Sequence, residues 1–270
     1  MKKQLLSVIA ASMLVLPAAA QTLTVDDIVN RVNQAVYYPG QDGRAQVQMV
    51  IIDSQDRKRA RSFTILRRDS ARTDDLEGRA YLGEQQFYLL FNRPSDVNNM
   101  AFMVHKKIEG DDDRWLYLPA LDLVKRIAAS DKRTSFVGSD YFYEDVSGRN
   151  IDLDEHELVE ESDQYYVLKH TPKDPDSVEF SYYLMKVGKD NFIPVETTYY
   201  DRQGQAYRVA RAVKIEDIEG YPTVTQASME NLETGSTTLM RYAKVDYDID
   251  LPEEVFSERY LRQPPNSYLQ

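Results

Sequence analysis

The sequence contains no cysteine, so it can form no disulfide and offers no thiol for lipid attachment. Only 11 glycines and 11 prolines are scattered through its 270 residues, and no Ser/Gly-rich or Pro-rich stretch divides the chain. Stability must therefore come from a hydrophobic core. We expect one domain, residues 21–270, because all-β folds often run to ~200–250 residues as a single unit.

Histidine, the usual base for a serine nucleophile, is also scarce. Ser135 and Ser139 lie among several acidic residues in "SFVGSDYFYEDV", residues 135–146. A serine nucleophile with an orienting carboxylate would have this composition. The only histidines in the sequence are His105, His156 and His170. Because the sequence also lacks a Gly-x-Ser-x-Gly elbow, we expect no enzyme activity and no catalytic residue.

Acidic residues are abundant but lack the spacing of a metal site. The runs "GDDDRW" and "DLDEHELVEESD" do not have the ligand pattern of a calcium loop. We interpret them as a tight turn and a solvated acidic loop. Phosphate-binding loops and dinucleotide fingerprints are missing from the sequence as well, so it predicts neither a metal nor a cofactor.

A long apolar run occurs only at the start of the chain. Lys2 and Lys3 precede an apolar stretch over residues 5–16, and three alanines follow at 18–20. This pattern is typical of a cleaved signal peptide, residues 1–20, with a mature chain beginning near Gln21. Since no later stretch approaches the ~20 apolar residues of a membrane helix, we expect an exported protein without a lipid anchor or stable membrane insertion.

Positive charge is in deficit, with a formal net charge of −11, which argues against binding to nucleic acid or passive adsorption to anionic lipid. One basic cluster stands out against this background. It consists of Arg57, Lys58, Arg59, Arg61, Arg67 and Arg68. The cluster either protects edge strands from aggregation or docks on an acidic surface of a membrane-protein partner.

The first regular element is predicted to be an amphipathic helix over residues 24–38. Thr24 is a suitable N-cap, and Asp26 and Asp27 follow in the first turn, where the helix dipole favours acids. Apolar residues then recur at helical spacing, and Pro39 with Gly40 ends the pattern. One face of this helix must pack on an apolar surface.

Beyond the helix the apolar period changes from helical spacing to two. About eleven strands with hairpin-like turns follow in sequence, which predicts a mainly β fold built as an antiparallel meander. A meander of this length should curl into a barrel or half-barrel that encloses a ligand cavity, with the amphipathic helix as its lid. The expected cavity wall comprises Val47, Met49, Ile51, Phe63, Ile65, Phe87, Leu89, Trp115 and Tyr117.

The stretch 135–146 is better explained as a rim of this cavity than as a catalytic loop. Gly138 permits a tight bend, at which the two serines can satisfy backbone groups. The aromatic residues of the stretch can fold over or away from an apolar ligand. They are Phe136, Tyr141, Phe142 and Tyr143.

Three segments, residues 114–146, 182–205 and 246–261, together with the N-terminal helix and the strand meander, resemble the LolA-like superfamily. The first segment is similar to the branch of outer-membrane lipoprotein-sorting proteins. The resemblance implies an incomplete barrel whose cavity receives acyl chains, without catalysis. It also implies an inner-membrane exporter of the resistance-nodulation-division superfamily as a partner.

Two functions remain open from the sequence. The first is a periplasmic carrier that moves lipoprotein acyl chains or another lipid between the inner and the outer membrane. The second is a periplasmic sensor of mislocalised lipoproteins or lipids that regulates an envelope response.

Overall fold

The computed structural model describes residues 23–70 and 83–270. The predicted signal peptide, residues 1–20, lies outside the described residues. Within them, no helix is both long and apolar enough to span a bilayer.

The first element is helix α1, Val25–Tyr37, at the position that the cap and the apolar spacing predict. The Thr24 hydroxyl accepts a hydrogen bond from the Asp27 backbone N–H at 3.1 Å, and the Asp27 carboxylate accepts one from the Thr24 N–H at 2.9 Å. This reciprocal capping box satisfies donors that a helix start otherwise leaves unpaired. Ile28, Val29 and Val32 form its buried face.

The described residues then form thirteen strands in a single antiparallel sheet. The strands are β1 Asp42–Ile52, β2 Lys58–Asp69, β3 Gln85–Arg93, β4 Ala101–Lys106, β5 Asp113–Leu118, β6 Leu123–Ile127, β7 Asp154–Glu161, β8 Tyr165–Pro172, β9 Tyr182–Gly188, β10 Pro194–Tyr200, β11 Ala206–Ile218, β12 Tyr221–Asn231 and β13 Ser236–Tyr247. Their order in the sheet is β6-β5-β4-β3-β2-β1-β13-β12-β11-β10-β9-β8-β7. Consecutive strands pair, except β6 with β7, and the first strand pairs with the last.

The predicted count of about eleven strands is corrected to thirteen, and the two strands not counted are β6 and β7. Both are edge strands. Strand β7, with the sequence "DEHELVEE", lies in the acidic run that the sequence suggested was a loop. Edge strands tolerate exposed charged side chains on both faces, so apolar and polar residues alternate only weakly along them. A prediction that relies on this alternation therefore does not detect them. The sheet is open, because its two edges are not paired with each other.

Two layers cover one face of the sheet, here called the inner face. One layer is α1. The other is the connecting segment, residues 128–153, which runs from edge strand β6 to edge strand β7 and contains the short helix α2, Tyr143–Ser147. The segment crosses the sheet, since its Asp140 N–H bonds Thr238 of β13 at 3.0 Å and its Ser147 carbonyl accepts from Lys106 of β4 at 2.6 Å.

The opposite, outer face is covered by the end of the chain, which includes helix α3, Arg259–Arg262. The Asp42 carboxylate accepts hydrogen bonds from the backbone N–H groups of Ile249 and Leu251, both at 2.7 Å. The apolar contacts on this face join strands β2–β5 to the C-terminal segment. They include Leu66, Tyr88, Leu90, Met103, Leu251, Val255, Phe256 and Leu261.

Candidate ligand-binding site

Two adjoining cavities lie between α1, the connecting segment and the inner face of the sheet. The first has a volume of about 310 Å³ and the second about 260 Å³. Six residues line both of them, namely Val36, Tyr37, Asp145, Ile193, Val224 and Ala227. The first volume falls within, and the second just below, the ~300–1,000 Å³ of small-molecule sites, so together they form space on the scale of a ligand.

The walls of both cavities are mainly apolar. Helix α1 contributes Ala35 and Val36 to the first cavity and Val29 and Val32 to the second. Strands on both sides of the sheet centre supply the remaining apolar wall. These residues include Ala45, Ile65, Phe87, Leu168, Met185, Val245 and Met229.

The side chains predicted from sequence to line the cavity mostly fill the core beside it. One buried cluster contains Val47, Met49, Ile51, Phe63, Phe87, Leu89, Phe136 and Tyr143, with Ile65 and Tyr141 packed against it. Of the whole predicted set, Ile65 and Phe87 line the first cavity and Tyr141 lines the second. A smaller space of about 80 Å³ is lined by Phe63, Ile65, Leu89, Phe136 and Tyr141.

Three predicted wall or rim residues lie elsewhere. Trp115 and Tyr117 pack on the outer face beneath the C-terminal segment. Their place follows from strand alternation, because their neighbour Leu116 points to the inner cluster. The centre of the Phe142 ring lies 5.1 Å from the guanidinium carbon of Arg133 and 4.0 Å from that of Arg208.

The predicted rim stretch alternates between exposed positions, such as Ser135 and Gly138, and buried ones. Phe136 is only 1% exposed and contacts the rings of Phe91 and Phe102. The Ser135 hydroxyl donates to the Ser139 carbonyl, and the Ser139 hydroxyl donates to the Phe136 carbonyl, both at 2.7 Å. The two serines therefore stabilise the bend, as the sequence suggested.

A layer of buried ion pairs supports the second cavity. No local pattern in the sequence predicts these pairs. Arg208, with a side chain only 3% exposed, pairs with Asp145 and donates to the Asp140 carbonyl at 3.1 Å. Arg133 bonds Glu144 at 2.5 Å. Such pairing is required, because a buried charge without a partner costs several kcal/mol.

Two histidines form another buried polar group beside the second cavity. The Nδ1 atoms of His156 and His170 are 2.7 Å apart, and His156 Nε2 lies 3.0 Å from the Ile151 carbonyl oxygen. Since a carbonyl only accepts, His156 carries its proton on Nε2 and His170 donates from Nδ1. Burial lowers the pKa of His170 to about 3, so this ring is neutral near pH 7.

Lys106 fixes the connecting segment to the end of α1. Its ammonium donates to the Ser147 carbonyl and lies 4.6 Å from the centre of the Tyr37 ring. Burial lowers the pKa of Lys106 to about 8, an effect that the nearby Asp112 carboxylate partly opposes. Among the described residues, no three His, Asp or Glu side chains are grouped as metal ligands.

The basic cluster separates into two parts along β2. Arg57, Lys58 and Arg59 are exposed at the β1–β2 turn, and the Arg57 guanidinium pairs with Asp53 at 2.7 Å.

At the other end of β2, the two arginines are bonded to backbone carbonyl groups. Arg67 donates to the carbonyls of Tyr37, Pro39 and Gly40, and Arg68 donates to the carbonyl of Leu251. Arg61, between the two parts of the cluster, is half-buried.

Comparison with known proteins finds one family model and several similar structures. A family model described as "Uncharacterized protein" matches residues 83–263 of the chain. A DUF1329 family protein from Desulfovibrio piger is similar in structure, with 29% identity, a TM-score of 0.77 and coverage of 87% of this chain and 97% of that chain. No curated protein matches the chain.

Two further structures are similar at lower identity and show the shared fold. One is a putative outer membrane lipoprotein-sorting protein domain from Vibrio parahaemolyticus, with 24% identity, a TM-score of 0.76 and coverage of 88% and 97%. The other is a LolA superfamily protein from Nitrosomonas europaea, with 19% identity, a TM-score of 0.65 and coverage of 88% and 100%.

Proposed function

Because the chain belongs to the family whose model spans residues 83–263 and has the fold of the LolA superfamily, we propose that it is a periplasmic lipid carrier. It holds the acyl chains of a lipoprotein, or another lipid, in the cavities beneath α1 and moves them from the inner to the outer membrane. The observation that carries the proposal is the pair of adjoining, mainly apolar cavities.

Apolar walls explain why the cavities bind a lipid. Each Å² of apolar surface removed from water contributes about 25 cal/mol, so a hydrocarbon chain that covers these walls is bound without directional contacts. Helix α1 forms one side of both cavities, and its buried face packs on Leu168 and Val187 of the sheet. A ligand thus lies between α1 and the sheet.

The carrier acts without catalysis. The two serines of the connecting segment donate to backbone carbonyls, and the buried histidine pair is bonded to itself rather than to a nucleophile. The test of the carrier function is lipid transfer between two vesicle populations, which the protein should accelerate in proportion to its concentration.

A basic surface defined by Arg57, Lys58 and Arg59 is the proposed docking site for an exporter of the resistance-nodulation-division superfamily. Attraction to an acidic partner surface raises the association rate and weakens with salt. Charge reversal of these three residues should slow association with membranes containing the exporter and leave apolar probe binding unchanged. Unchanged association at low salt contradicts the docking role.

A further inference from the structure

Three tyrosines from different elements line the second cavity. Tyr37 ends α1, Tyr141 lies in the connecting segment and Tyr199 lies in β10, and all three line this cavity. None of the described residues forms a hydrogen bond with the hydroxyl groups of these three tyrosines. In contrast, the hydroxyl of Tyr183, which lines the same cavity, donates to the Asp154 carboxylate at 3.0 Å. Tyrosine hydroxyls inside a protein usually have a partner, so three without one point to a ligand.

The three hydroxyls are protonated donors at neutral pH. Burial raises the pKa of Tyr199 to about 12, although the Arg208 charge opposes this increase. Burial also raises the pKa of Tyr37 and that of Tyr141 well above the usual value, with the Asp145 carboxylate adding to both effects. Asp145 lines the same cavity as the three tyrosines.

The charged groups lining the same cavity are already neutralised. Each of them has an oppositely charged partner within 4 Å in the pairs Arg133–Glu144, Arg149–Asp154, Arg208–Asp145, Arg211–Glu196 and Arg211–Glu230. An ionised ligand group would therefore enter without a counter-charge, and burying a charge in that way is costly.

We propose that the second cavity binds an uncharged, oxygen-bearing part of a lipid, such as an ester, through the hydroxyls of Tyr37, Tyr141 and Tyr199. This inference rests on the proposed carrier function and specifies its ligand. The apolar walls hold the hydrocarbon, the hydroxyls donate to the ester oxygens, and an ionised head group stays outside the cavity.

Three sixteen-carbon probes test the inference, namely methyl palmitate, hexadecane and hexadecyl sulfate. Their affinities are measured by displacement of a fluorescent apolar probe from the full chain. The wild type should bind the ester at least about fivefold more tightly than the alkane, as expected for one net hydrogen bond. It should bind the sulfate more weakly than the ester.

Removing the hydroxyls should remove the preference without removing the cavity. The triple variant Tyr37→Phe, Tyr141→Phe, Tyr199→Phe is expected to bind ester and alkane equally, with wild-type affinity for the alkane. The matched control is Tyr165→Phe, Tyr182→Phe, Tyr200→Phe, which changes three half-buried tyrosines of β8, β9 and β10 that do not line either cavity. This control should keep the preference.

The outcomes separate the inference from the carrier function. Equal wild-type affinity for ester and alkane, or sulfate binding as tight as ester binding, overturns the inference and leaves the carrier function intact. Loss of alkane binding in the cavity triple variant also overturns it, because the hydroxyls then support the fold. If the wild type binds none of the probes, the carrier function fails and the inference fails with it.

Discussion

His170 shows how burial controls the chemistry of a single side chain in this protein. It is 3% exposed, its ring stacks on Tyr183 with 4.4 Å between ring centres, and its Nδ1 donates to His156. Its Nε2 atom is buried without a hydrogen-bond partner among the described residues. Protonation would place a charge among apolar and aromatic groups, so the folded protein holds this ring neutral.

This burial predicts a specific loss of stability in mild acid. The folded pKa of His170 is about 3, whereas an unfolded histidine titrates near ~6.5. Below pH ~6.5 the unfolded state binds the extra proton, so the free energy of unfolding falls by about 2 kcal/mol by pH 5. Urea unfolding of the wild type and of His170→Gln at several pH values between 7 and 5 measures this decrease in the free energy of unfolding. The variant should show a shallower decline, and equal slopes contradict the assignment.

At this scale the sequence predicts side chains that pack but not those that pair. The sequence predicts Phe136, Tyr141 and Tyr143 as rim residues that fold over or away from an apolar ligand. In the structure Phe136 and Tyr143 belong to the buried cluster of the inner face, and Tyr141 packs against it. The Arg208–Asp145 pair was not identified, since its members are 63 residues apart and nothing local distinguishes them from surface charges. Pairing of this kind depends on which strands the fold brings opposite the connecting segment.

The contact between α1 and the connecting segment depends on a glycine at the end of α2. Gly148 has a φ of +76°, and a Cβ atom there would lie 2.2 Å from the Tyr37 Cζ atom. The last residue of α1 therefore rests directly on the backbone that follows α2. Since Tyr37 also lines both cavities, this contact positions a part of the cavity wall.

Replacing this glycine should reveal the contribution of the contact. Gly110→Ala is the matched control, because Gly110 has a φ of +80° and no heavy atom within 4 Å of its added Cβ. Backbone strain alone should cost the control about 1 kcal/mol. Gly148→Ala should cost about 2 kcal/mol more, because the ring must move. Chemical denaturation measures the free energy of unfolding of both variants. Equal losses of stability would contradict a close contact between Tyr37 and Gly148.

Elements with a strong local signal were predictable from sequence. Helix α1 has its cap, its acidic first turn and its apolar spacing, and the eleven predicted strands show alternation against a buried face. Strands β6 and β7 lack that signal because they lie at the sheet edges. The C-terminal layer was not anticipated either, since its short turns at Leu251, Val255 and Phe256 have no regular period.

The whole molecule is one sheet with different covers on its two faces. The C-terminal segment packs tightly on the outer face, where Val255 and Leu261 are fully buried. On the inner face, α1 and the connecting segment leave the two cavities. The proposed ligand site therefore lies on the inner face, where the two cavities are. The mainly β class was predictable from the change in apolar period, but the open sheet and its crossing segment depend on contacts distant in sequence.

Lipid transfer between vesicles tests the carrier function most directly. Wild type should accelerate movement of a fluorescent ester lipid from donor to acceptor vesicles in proportion to protein concentration. Ala227→Trp places an indole where Ala227 lines both cavities, and transfer should fall to the protein-free rate. The control Ala206→Trp adds the same ring at an exposed position and should transfer like wild type. Thermal unfolding verifies that both variants fold. A wild-type rate no faster than vesicles alone, or full transfer by a folded Ala227→Trp variant, contradicts the account.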